Sequence, residues 1–214
     1  MIQPSVVDQD EPADLPPYEG IRLSEVRIVR TPVEAAAALA ALSLADVIGF
    51  DTESKPTFAK GEVSTGPHLV QLATDDLAYL FQIGSAASAQ TALEVLKPVL
   101  ESDSILKVGF GLGDDLKRLR GKLGIEARNV LDLATAMRRR GERNTLGAKT
   151  AVARFFGQRL QKSRRITTTN WALPQLSEKQ VLYAADDAHV ALRLYRYWRA
   201  NPPADEAGPP RRAS

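Results

Sequence analysis

The 214-residue chain has no cysteine and only two histidines. Without cysteine there can be no disulfide framework and no thiolate metal site, so a metal would have to be held by oxygen or by one of the two imidazoles. Oxygen ligation points to hard cations such as Mg²⁺ or Mn²⁺. Long hydrophobic runs are also missing. The longest apolar stretch near the N-terminus, Ala35 to Ala45, is too short to span a bilayer and lacks the basic flank and cleavage site of a signal peptide. A cytoplasmic protein with no membrane partner is the expectation. No internal repeat is present.

What the chain does contain, 44% hydrophobic and 25% charged residues, suits one globular domain with a sizeable core. Residues 1–20 and 201–214 are rich in proline with little apolar periodicity, so both are expected to be disordered tails around one domain at 21–200. The net charge of +2 is unevenly spread: residues 138–165 hold ten Lys/Arg against one acid, Glu142, which makes that segment +9 and leaves −7 for the rest. Such a block suits a surface facing a polyanion, although a solvated helix face is the plainer reading of the block alone.

Apolar periodicity and turn signals give strands near 26–29, 47–52, 68–74, 78–83, 105–110 and 130–133. Helices are expected after Thr31-Pro32 and over about 88–100, 113–123, 144–156 and 177–199. The third and fourth strands are separated by "DDL" in hairpin fashion, and β-α-β alternation follows. That order implies a mixed sheet flanked by helices, because parallel crossovers place helices on the faces. Between the last two helices, "GQRLQKSRRITTTNWALPQ" is expected as a long basic loop, a length that in compact domains is usually functional or disordered.

The segment "VIGFDTES", residues 47–54, sets two carboxylates on a strand that otherwise looks buried. Strand residues two apart share a side, so Asp51 and Glu53 face one small volume and Thr52 turns away. Each would raise the other's pKa unless a cation or donor lies between them. Further acids come from "VGFGLGDDLKRL", where a strand runs through a glycine-rich turn to Asp114 and Asp115 at a helix start. Ligands in open α/β sheets gather at such strand ends, but acids in a first helical turn are also routine caps. A dinucleotide-binding turn is discarded, because Asp114 replaces the third glycine and would repel a pyrophosphate. In "YAADDAHVALRLYRYW", Tyr183 and Asp187 lie four apart on one helix face, with Asp186 roughly 100° away.

Together "FDTE", "GFGLGDDLKRL" and "YAADDAHVALRLY" resemble the three motifs of the DEDD family of 3′-5′ exonucleases, in the tyrosine-bearing branch that includes ribonuclease D and the Werner-type exonuclease domain. The intervening "HLVQLAT", "LDLATA" and "TTTNWALPQLSEKQ" agree, and the likeness covers roughly Val26 to Trp198. It implies an RNase H-like (DnaQ-like) α/β fold, a five-stranded mixed sheet with helices on both faces. It also implies two divalent cations, Mg²⁺ or Mn²⁺, held by Asp51, Glu53, Asp115 and Asp187, with no organic cofactor.

By the same resemblance Asp51 bridges both ions, Tyr183 aims the attacking water, and Glu53 with the backbone at Thr52 contacts the terminal 3′-hydroxyl. Asp115 is preferred to Asp114 on family spacing, leaving Asp114 as a cap. Asp132 is taken as structural and His189 as no general base. The implied partner is a nucleic acid, RNA or DNA, with a free 3′ end, shortened to nucleoside 5′-monophosphates. Arg159, Lys162, Arg164 and Arg165 are candidates for its phosphates, and Phe110, Phe155, Phe156 and Trp171 for stacking or wedging, with a place in the helix core the plainer reading of Phe155 and Phe156 and anchoring of the loop the alternative for Trp171. Two rivals are weighed: a catalytically silent nucleic-acid-binding protein, which normally loses a ligand, and an RNase H-like endonuclease, which would not need the tyrosine-bearing motif.

Overall fold

A computed structural model describes residues 14–57, 65–139 and 141–202. In chain order the elements are β1 (Val26–Val29), α1 (Pro32–Ser43), β2 (Val47–Glu53), β3 (Leu69–Ala73), β4 (Ala78–Gln82), α2 (Ala86–Leu100), β5 (Leu106–Gly109), α3 (Gly113–Leu123), β6 (Val130–Asp132), α4 (Leu133–Ala136), α5 (Ala148–Phe156), α6 (Arg164–Thr167) and α7 (Glu178–Ala200). Capping residues mark several starts. Thr31, Ser85 and Ser177 each accept a hydrogen bond from the third helical N–H of α1, α2 and α7, which satisfies donors the helix itself cannot.

The strands form one sheet in the order β1-β4-β3-β2-β5-β6. β2, β3 and β4 are a meander of antiparallel pairs, and β1, β5 and β6 join in parallel. The third and fourth strands meet in the expected hairpin, closed by the Thr74 N–H donating to the Leu77 carbonyl at 2.8 Å. There are six strands, one more than the five that the resemblance implies. The edge strand β6 pairs with β5, placing Asp132 opposite Gly109, where its carboxylate accepts the N–H groups of Gly111, Leu112 and Ala134. Asp132 is therefore structural: it satisfies the turn that delivers α3.

Alternation along the strands supplies two apolar faces. Ile48, Phe50, Val70, Leu72 and Phe81 pack with α1 and α2, while Val47, Leu69, Ala73, Ala78 and Leu80 pack under α7 or its neighbours. The α7 face is lined by Ala184, Ala185, Ala188 and Ala191, small residues that let the helix lie close. Opposite them, a Cβ on Gly49 would stand 1.9 Å from the Ala188 carbonyl oxygen, so only glycine fits there.

Three expectations need correction. α5 begins at Ala148 rather than near 144, with Gly147 as its N-cap. The basic loop contains a turn of helix, α6. The part of the expected N-terminal tail that is described is ordered: Pro17 and Arg159 form a parallel bridge, and Tyr18 is buried against Phe156 and Arg193. An aromatic anchor outweighs the proline-rich composition there. The remainder of both tails, 1–13 and 203–214, lies outside the described residues. Among the described residues no helix is long and apolar enough to cross a membrane.

Candidate active site

The close approach at Gly49 has its consequence two residues along β2. Asp51 and Glu53 leave the sheet on the α7 side, where the next turn of α7 presents Asp187, 7% exposed, and Tyr183. Asp115, in the first turn of α3, enters from the end of β5 and accepts a hydrogen bond from Thr52 Oγ1 at 2.5 Å. Thr52, on the opposite side of the strand from Asp51, thus ties the second motif to the first.

The acids lie close enough to titrate together. Burial, then the charges of Asp187 and Asp115, push the Asp51 carboxyl well above the ordinary range. Burial, followed by Asp51 and Asp187, pushes Glu53 up to about 9. Burial also raises Asp115 against the opposing hydrogen bond from Thr52, and it raises Asp187 despite the neighbouring lysine. The Tyr183 hydroxyl is pushed up to about 12, first by burial and then by Asp187. It is held 2.9 Å from Thr167 Oγ1.

Lys162 stands among these acids. Its Nζ lies 2.7 Å from Asp187 Oδ1 and 5.7 Å from the centre of the Tyr183 ring. Burial opposes its charge, but Asp187, Tyr183 and Asp51 together hold its pKa above the usual lysine value. The chain around it is fixed by Leu160, buried in the core, and by two hydrogen bonds from the N-terminal segment, Arg159 N–H to Pro16 O and Tyr18 N–H to Arg159 O.

The second-motif acids separate as expected in one respect and not in another. Asp115 faces the cleft; Asp114 is exposed and pairs with Lys117 at 3.2 Å, with no capping hydrogen bond. It is a surface ion pair and not the expected cap. Asp186 points elsewhere on α7, accepting the Ile21 N–H at 2.7 Å. His189 is buried with its Nε2 3.3 Å from the Asp75 carbonyl, at the hairpin end of the sheet and away from the acids.

The substrate candidates are scattered. Trp171 is 1% exposed, donates its indole N–H to the Thr167 carbonyl and packs 6.0 Å from the Tyr183 ring. It has no free face for a base, so of its two expected roles substrate stacking is set aside and anchoring of the loop behind the tyrosine remains. Phe110 is half-buried against the core under α5 and α7. Arg159 and Arg165 are exposed, and the Arg164 side chain lies outside what is described. Arg159, Lys149 and Lys162 line one open groove of about 630 Å³.

Two side chains beside the acids stand apart from the expectations. Lys162 was expected on phosphates, and nothing in its local pattern distinguishes it from its basic neighbours. Gln71 is fully buried directly across from Asp51, with neither end of its amide hydrogen-bonded. A glutamine inside the apolar "LVQLA" was the available signal.

Among the described residues no three acidic or histidine side chains are drawn together as a ready-made metal cage. The donor set nonetheless fits a hard divalent cation: it is all carboxylate, its charges repel, and the position is stabilised by a stand-in cation, the Lys162 ammonium.

A mixed sheet with helices on both faces and this acid set defines a class, and comparison with known proteins agrees. A family profile described as 3′-5′ exonuclease matches residues 26–200, and the chain belongs to that family. It is 30% identical over 156 residues to the mouse "Bifunctional 3′-5′ exonuclease/ATP-dependent helicase WRN", covering 72% of this chain and 11% of that one. Identity is 29% over 162 residues to an Arabidopsis thaliana "3′-5′ exonuclease", covering 73% of this chain and 54% of that one. The chain thus spans about half or less of these relatives' lengths.

Among solved structures, the EXO domain of Aedes aegypti Nibbler superposes with a TM-score of 0.70 at 26% identity, covering 83% of this chain and 88% of that one. Trypanosoma brucei RNase D in complex with RNA U12 gives 0.72 at 23% identity over 83% and 63%, a likeness of fold. The fold is RNase H-like, as in RNase D.

Proposed function

We propose that the protein is a metal-dependent 3′-5′ exonuclease that shortens a nucleic acid strand from its 3′ end and releases nucleoside 5′-monophosphates. The observation that carries the reading is the convergence of Asp51, Glu53, Asp115 and Asp187 with Tyr183 in one cleft, each acid pushed toward its neutral form by burial or by its neighbours. These four carboxylates would hold two divalent cations, Mg²⁺ or Mn²⁺, which when bound supply an activated water and stabilise the leaving 3′ oxygen.

The protein's own groups do the positioning. Tyr183, at about 12, is not a general base at neutral pH; its hydroxyl, fixed by Thr167, aims the attacking water. Glu53 and the backbone at Thr52, at the end of β2, would receive a terminal 3′-hydroxyl. Lys149, Arg159 and Lys162 along the adjoining groove give a single strand a cationic path to the acids.

The test is a time course on matched 5′-labelled RNA and DNA, single-stranded and 3′-recessed, with Mg²⁺, Mn²⁺ or EDTA. Stepwise shortening that requires a divalent ion supports the reading. Immediate internal fragments, or tight binding with no cleavage under any condition, overturn it.

A further inference from the structure

We infer that Lys162 is a built-in counter-cation of the candidate site, holding Asp187 and the neighbouring acids together in the absence of metal, and that a metal ion must displace it. The inference rests on the metal-dependent reading above and goes beyond it: a residue expected to bind phosphate becomes a competitor of the ion.

Three observations carry it. The Lys162 ammonium is 2.7 Å from Asp187 Oδ1, and both side chains are largely shielded, at 26% and 6% exposure. It also sits over the Tyr183 ring. Its charge acts on Asp51 and Glu53 as well as on Asp187. Acids clustered in one low-dielectric cleft strongly disfavour joint ionisation, and a single ammonium on a flexible stem is the cheapest compensation the chain can provide.

A divalent ion seeking the same carboxylate oxygen therefore meets an occupied partner, and its observed affinity is lowered by the strength of the pair. Lys162 also belongs to the groove lined by Lys149 and Arg159. One side chain thus borders both the acids and the substrate path, and an ammonium released from Asp187 has a phosphate-facing place to go. Arginine would do this less well, because a guanidinium can bind a carboxylate with two parallel hydrogen bonds and would let go less readily.

The experiment measures Mn²⁺ binding by calorimetry without nucleic acid, alongside thermal unfolding in EDTA, for the native protein, Lys162→Met and Lys162→Met/Asp187→Asn. Lys162→Met should bind Mn²⁺ about tenfold more tightly than the native chain and unfold at a lower temperature in EDTA. The double variant, which removes both members of the pair, should recover most of that lost stability, even if Lys162→Met alone does not fold without metal. Native protein that binds Mn²⁺ while Lys162→Met binds it equally or more weakly overturns the inference and leaves the metal-dependent reading standing. If neither protein binds Mn²⁺, that reading fails and the inference falls with it. A double variant no more stable in EDTA than Lys162→Met also overturns it.

Discussion

The acids in the cleft differ in what each loses when neutralised. Asp51→Asn and Glu53→Gln remove charge that burial and neighbours already disfavour, so each should nearly abolish nuclease activity while raising the melting temperature in EDTA. Asp187→Asn should be equally inactive but should lose stability in EDTA, because it leaves the Lys162 ammonium without its partner. Steady-state cleavage rates together with melting curves separate these outcomes, and full activity in Asp51→Asn would contradict the assignment. Asp114→Asn, at an exposed ion pair, should cost little in either assay. Tyr183→Phe should slow cleavage roughly 10²-fold with an unchanged Mg²⁺ requirement, as expected of a group that orients water rather than binds an ion. A shifted Mg²⁺ titration with an unchanged maximal rate would argue for ligation.

At the scale of elements, the site depends on how closely α7 lies on β2. Gly49→Ala would drive a Cβ against the backbone carbonyl of Ala188, which cannot swing aside as a side chain could, and should destabilise the protein by about 3 kcal/mol or more in denaturant unfolding. An unchanged unfolding midpoint would mean that the helix can retreat without cost. The basic segment is less uniform than its composition suggests. Arg154 pairs with Glu142 at 2.7 Å, and Arg138 folds back toward the carbonyls of Glu142 and Arg143, so part of the block is spent inside the fold. Arg159 and Arg165 remain exposed. Replacing both by alanine in an Asp51→Asn background should reduce the slope of log K against log salt for a homopolymer by about 0.7 per lost phosphate contact. An unchanged slope would assign them to a solvated face.

For the whole molecule, the sheet gathers several buried acids into one cleft, where burial holds each toward its neutral form, and this has a pH signature. Glu53, raised in the fold to about 9, favours the folded state while protonated, so its contribution is lost as pH climbs from the ordinary carboxylate range through about 9. His68 and His189, both lowered by burial, work in the opposite direction, but only up to about pH 6.5. Lys107, lowered to about 8, opposes only above that value. The window between about pH 6.5 and 8 is therefore governed by the acids. In EDTA the melting temperature should fall across it, and saturating Mg²⁺ should flatten the decline by replacing the missing positive charge. A melting temperature that rises across this window in EDTA would contradict the clustering of the acids.

Local periodicity was enough to determine much of this arrangement. A strand repeat of two put Asp51 and Glu53 on one side, a helical repeat put Tyr183 and Asp187 on one face, and a glycine-rich turn put Asp114 and Asp115 at the mouth of α3. Those relations follow from backbone geometry and need no knowledge of the remaining chain. The tertiary structure alone decided which N–H groups Asp132 satisfies, that Trp171 is buried behind Tyr183 with no face open to a base, and that Tyr18 ties the N-terminal segment to Arg159. It also decided that Lys162, on a segment of many basic residues, reaches Asp187. Each is a contact between residues far apart in sequence or a question of burial, and neither leaves a local repeat to read. An exposed lysine and one that neutralises a buried carboxylate look alike until the fold brings the carboxylate to it.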